Sequence, residues 1–130
     1  KVISTGGAGG QIDPTQIQIS DLTQTINDPL LAKVRNTLRR DYNYSRNPQR
    51  RFGIECVYST EQLKYPQADG SVCQQKTPQL APDGSISSMR LDCSAGFGAT
   101  TVVTASFGLA AGSRVLQKLA AKANKAAKDQ

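Results

Sequence analysis

The stretch Phe52-Gly53-Ile54-Glu55-Cys56-Val57-Tyr58 is where the chain changes period. Phe52, Ile54, Cys56 and Tyr58 fall on one side of an extended backbone, and Val57 is the one large apolar residue on the other. Successive side chains of a strand point to opposite faces, so this pattern predicts a β-strand with its better-filled face toward a core.

Upstream, Asp28-Pro29 is a helix start: the aspartate accepts from exposed N–H groups, and proline occupies the first helical position, where no donor is needed. Leu30, Leu31, Val34, Leu38 and Tyr42 then recur at helical spacing, with Lys33, Arg35, Arg39 and Arg40 on the other faces. This predicts a helix from about 29 to 42, ended by the turn-like run Asn43 to Arg50 with its Asn47-Pro48. Ile17 and Ile19 alternate with polar residues in Thr15 to Ser20 as a second strand would.

Downstream, Asp69-Gly70 and Asp83-Gly84 read as turns around an edge strand or long loop holding Val72, Cys73 and Leu80. Met89, Leu91 and Cys93 alternate as a further strand, and the Thr and Val content of Ala99 to Phe107 suits another. Ser113, after Gly112, is placed to cap a final helix through Val115, Leu116, Leu119, Ala120, Ala123 and Ala127. The expected fold class is α+β: a small antiparallel sheet of about four strands packed with two amphipathic helices, about 29–42 and 113–128. Four glycines between Gly6 and Gly10 predict a flexible N-terminal arm over 1–14, followed by a single α+β domain over 15–130.

Apolar residues make up 38% of the 130 residues, so one modest core of Ile, Leu, Val and Ala is the expectation. No stretch approaches the roughly 18 consecutive apolar residues of a membrane-spanning helix. The numbering opens at Lys1 rather than Met, which points to a removed leader and hence to export. In an oxidising compartment Cys56 and Cys93, both facing inward on paired strands, are the expected disulfide, with Cys73 the other candidate partner.

The sequence holds no histidine, which removes the commonest general base and the usual partner of serine and cysteine nucleophiles. It also leaves three cysteines without metal-ligand spacing, so no metal site is expected. Only Glu55 and Glu61 are glutamates, and the aspartates sit mostly at turns and caps. The glycines of Gly6 to Gly10 are not followed by Gly-Lys-Ser/Thr or by a helix, so no phosphate loop is read there. From these residues neither catalysis nor a cofactor is expected.

The net charge of +6 is uneven. Lys33 to Arg51 carries seven positive residues against Asp41, and Arg114 to Gln130 carries five against Asp129. Within the first block Arg39, Arg40, Tyr42, Tyr44, Arg46, Arg50 and Arg51 interleave guanidinium groups with tyrosines, residue types that neutralise phosphates and stack on bases. Exclusion of chemistry makes a non-catalytic structural or adaptor subunit the leading expectation. It would sit in an exported cell-envelope complex or a virion and contact other protein subunits or further copies of itself. An RNA- or DNA-binding protein using segment 33–51 is the alternative.

Overall fold

The computed structural model describes residues 2–66, 70–74, 79–80, 86–87 and 98–128. In chain order the elements are β1 (Ile3–Thr5), a 3-10 turn (Pro14–Gln16), β2 (Ile17–Asp21), a second 3-10 turn (Leu22–Gln24), α1 (Pro29–Asp41) and β3 (Glu55–Ser59). After them come β4 (Tyr65–Pro66), β5 (Val72–Cys73), β6 (Gln79–Leu80), β7 (Ile86–Ser87) and α2 (Thr101–Lys128).

The strand read at 52–58 is β3, the middle of a three-stranded sheet of order β1-β3-β2. Its two faces divide the core between the helices. Cys56 and Tyr58 pack with Leu22 and with Leu31 of α1, supported by Leu38, Phe52 and Ile54. Val57 points the other way, against Val103 and Phe107 of α2, with Ile3, Ala8, Ile17, Ala110 and Ala111 around it. Each such side chain removed from water contributes about 1.5–3 kcal/mol, and the α1–sheet–α2 sandwich buries both faces of β3.

Asp28 caps α1 as its sequence position requires. Its Oδ1 accepts from the Leu31 N–H at 2.8 Å, with Pro29 following. Arg35 straps the helix to the second 3-10 turn, donating from Nη1 to the Leu22 and Thr25 carbonyls and the Thr25 hydroxyl.

The α+β class with two helices stands, and three details are corrected. The sheet is mixed rather than antiparallel, because β1 runs parallel to β3 (Ile3 opposite Glu55, Thr5 opposite Val57) while β2 runs antiparallel. The expected flexible arm over 1–14 is tied into the molecule. Ile3–Thr5 are sheet, the Gly6 N–H donates to the Val57 carbonyl at 2.8 Å, and the Gly7 N–H donates to Asp28 Oδ2 at 2.9 Å. A Cβ at Gly6 would run into the Asp28 carboxylate, so glycine there serves a close approach rather than mobility.

The third correction is at α2. Ala99 to Phe107 is not a strand: helix begins at Thr101 and runs unbroken past Gly112 and Ser113, so the expected helix 113–128 is the second part of 101–128. Val103 and Phe107, four residues apart, meet Val57 only as a helix face, and that packing overrides the strand preference of Thr and Val. Thr104 bonds back to the Thr100 and Thr101 carbonyls, satisfying its hydroxyl inside the helix.

β4 pairs with β5 and β6 with β7, each antiparallel. The expected strand at Met89, Leu91 and Cys93 lies outside the described residues, as does the Asp83-Gly84 turn. Among the described residues no helix is long and apolar enough to cross a membrane.

Candidate nucleic-acid interface

The C-terminus of α1 builds the first half of the site. The Leu38 carbonyl accepts from both Tyr42 and Tyr44 N–H groups, which turns the chain through Asn43 at a positive φ of 56°. This sets the Tyr44 ring edge-on to Phe52, with centroids 4.7 Å apart. Arg39 lies over the same Phe52 ring at 5.5 Å and donates to the Ser45 carbonyl at 3.3 Å. Asn47 then folds an Asx turn, its side-chain oxygen accepting from the Gln49 N–H at 2.9 Å, ahead of Arg50 and Arg51. The result is a cleft of about 420 Å³ bordered by Tyr42, Tyr44, Ser45, Arg50, Arg51 and Phe52.

Four of the seven residues singled out from sequence, Tyr42, Tyr44, Arg50 and Arg51, thus converge on one cleft. The other three do not join them there. Arg39 is spent on Phe52 and Ser45, Arg40 pairs with Asp41 at 2.7 Å, and Arg46 is exposed on the loop beyond the cleft.

Arg51 also borders a second cleft, of about 570 Å³, which reaches Ser20, Gln24, Gly53, Glu55, Arg114 and Gln117. Two carboxylates shape it. Asp21 accepts from the Thr23, Phe52 and Gly53 N–H groups and the Thr23 hydroxyl. Burial opposes its charge, yet these donors together hold its carboxyl below the usual range. Gly53, at φ 74°, supplies the bend that brings two of those N–H groups to it. Glu55 takes both oxygens to Arg114, at 2.9 Å each, and Lys118 Nζ joins at 2.9 Å. The Arg114 and Lys118 hydrogen bonds hold its carboxyl down to about 2.

Sequence reasoning missed this second cleft. Its one legible trace was Arg114 and Lys118, one helical turn apart, but their partner Glu55 lies 59 residues before Arg114.

Elsewhere, Glu61 is a buried carboxylate tying the Ile12 and Asp13 N–H groups to Lys64. The Cys56 thiol is pushed up to about 11, first by burial and then by Asp21 and Asp28, which makes it a poor nucleophile at neutral pH. Its expected disulfide partner, Cys93, lies outside the described residues. Among the described residues no group of acids and cysteines is placed to hold a metal ion.

A mixed sheet between two helices is a fold this chain shares with solved chains of a tRNA-modifying class of enzyme. The chain matches "TcdA (CsdL)" at a TM-score of 0.75 and 47% identity, over 95% of its own length and 41% of that chain. It matches the Escherichia coli tRNA N6-threonylcarbamoyladenosine dehydratase TcdA in complex with ATP at a TM-score of 0.69 and 43% identity, over 95% and 39%. In sequence it is 52% identical over 122 residues to the tRNA threonylcarbamoyladenosine dehydratase of Escherichia coli strain K12, covering 94% of this chain and 43% of that protein. To the Haemophilus influenzae enzyme of the same name it is 52% identical over 121 residues, covering 93% and 41%. The chain therefore spans less than half the length of the curated relatives it matches. No family model matches it.

These relatives correct three expectations together. A non-catalytic structural or adaptor subunit, a chain without enzymatic character, and a place in an exported envelope complex or a virion all give way to similarity with enzymes named for a tRNA nucleoside. The physical reason is plain. Absence of histidine excludes histidine-dependent chemistry only, and more than half of each relative lies outside the matched stretch, where this chain's side chains say nothing.

Proposed function

We propose that this chain works as part of a tRNA threonylcarbamoyladenosine dehydratase and supplies RNA-binding surface to it. The observation that carries the reading is the convergence of Tyr42, Tyr44, Arg50 and Arg51 on one cleft, in a chain 52% identical to enzymes of that name. Arginines there neutralise phosphates and the tyrosine rings offer faces for bases. Arg39 acts beneath them as a positioning residue, holding Phe52 and the turn against which Tyr44 leans.

ATP, bound in a solved relative, is the co-substrate in this proposal. In the N-terminal glycine segment the Gly6 and Gly7 N–H groups are already taken, by the Val57 carbonyl and the Asp28 carboxylate. Protein contacts fall to the exposed apolar side chains of α2, Leu109, Leu116 and Leu119, against which the remaining length of such an enzyme or a second copy packs.

The test has two readouts on the full chain. With ATP and tRNA carrying threonylcarbamoyladenosine, the modified nucleoside should lose the mass of one water. Titration with tRNA should weaken steeply as salt rises, and the Arg50→Ala/Arg51→Ala variant, which removes two phosphate contacts, should lower the log–log salt slope by roughly 1.4–1.8. Salt-independent binding, or an unchanged slope in the variant, would remove the RNA-binding role.

A further inference from the structure

We propose that the second cleft receives one unpaired nucleotide of the bound RNA, with its base read by Gln24 and Gln117 and its backbone carried by Arg51 into the tyrosine cleft. This rests on the RNA-binding reading above and extends it from the end of the basic segment to a cleft shared with α2.

About 570 Å³ is within the range that takes a small organic ligand, roughly 300–1,000 Å³. Its charged walls are largely satisfied within the protein. Asp21 is filled by four donors, and Glu55 by Arg114 and Lys118. What remains to meet a ligand is the Arg51 guanidinium and the Gln24 amide, neither of which has a hydrogen-bond partner or ion pair among the described residues. The Gln117 amide nitrogen joins them, since its oxygen alone is engaged, by Arg114 at 3.1 Å.

Neutral amides that both donate and accept match the edge of a nucleobase better than they match a phosphate. Ile19, 38% exposed, gives the cleft an apolar element for a base to cover. A base can enter only if it is out of a helix, because in paired RNA the Watson–Crick edge is taken by its partner and the major-groove edge lies in a deep, narrow groove that side chains cannot read. Arg51 belongs to both clefts. One phosphodiester on it therefore joins a nucleotide among the glutamines to neighbours stacking at Tyr42 and Tyr44.

The experiment uses the full chain and three probes: an unpaired oligoribonucleotide, a blunt RNA duplex of the same length, and AMP or ATP as competitor. The unpaired RNA should bind about tenfold tighter than the duplex, and Gln24→Ala/Gln117→Ala should weaken it by about tenfold with the salt slope unchanged. Both glutamines are exposed, so circular dichroism should show the variant folded as the parent is. AMP and ATP should leave the bound RNA in place.

Equal affinity for the duplex overturns the proposal, as does an undiminished double-glutamine variant, or displacement by AMP or ATP, which would make the cleft a mononucleotide site. In each of those cases salt-dependent tRNA binding through Arg50 and Arg51 survives, so the parent reading still stands. Failure to bind any RNA removes both.

Discussion

At Asp28 one carboxylate does two jobs, capping α1 through Leu31 and holding the Gly7 N–H. Asp28→Ala should therefore cost roughly 1–3 kcal/mol, more than a simple cap, because it strands a second, part-buried donor. A shift in urea midpoint measures it, and a neutral outcome would show that the glycine segment is held by the sheet alone. Gln11 is the opposite case. It is 1% exposed and neither amide atom has a partner among the described residues, so Gln11→Leu should leave stability unchanged or raise it by about 1 kcal/mol.

Glu55 carries a pH signature. Its folded value, about 2, lies below its ordinary 4.5, so the stability it contributes is whole above about 4.5 and is lost as pH falls toward about 2. Glu55→Gln should flatten part of the acid limb of a stability-versus-pH curve. Asp21 and Glu61, also held low, should keep the remainder.

Among the elements, α2 is the informative one. Its first half packs through Val103 and Phe107, while Gly108 and Gly112 stand in the helix with open space where a Cβ would be. Gly112→Ala should stabilise by roughly 0.5–1 kcal/mol, read from thermal unfolding, because it restricts the unfolded chain without a clash. If Gly112→Ala destabilises instead, something packs on that face. The same helix explains the largest misreading. Val102-Val103-Thr104 has strand composition, and only the 103/107 spacing, seen against Val57, marks it as helix. By contrast α1 was legible from Asp28-Pro29 and its apolar spacing, because cap, proline and period all agree locally.

For the whole molecule, the exposed side chains on α2, with Leu109 74% and Leu116 68% exposed, form an apolar surface on a helix whose opposite face is already buried. Leu109→Ser/Leu116→Ser should leave unfolding of the chain nearly unchanged and lower its self-association in light scattering. Loss of stability instead would place those leucines in the core. Half of the candidate site was readable in the same way: Tyr42, Tyr44, Arg50 and Arg51 are close in sequence and remain close in space. Arg114, Gln117 and Gln24 were not readable, since they reach the second cleft from a distant helix and a separate turn.

What the amino-acid order determined unaided was whatever neighbouring residues decide between themselves: the cap and period of α1, the alternation of β3, and the basic and aromatic segment. Folding alone decided what depends on residues far apart in the chain. The parallel docking of Ile3–Thr5 on β3, the helical state of Thr101–Phe107 and the Glu55–Arg114 bridge each require a partner from another part of the chain. Local preference is worth tenths of a kcal/mol per residue, whereas a buried side chain is worth about 1.5–3 kcal/mol, so where the two conflicted, packing prevailed.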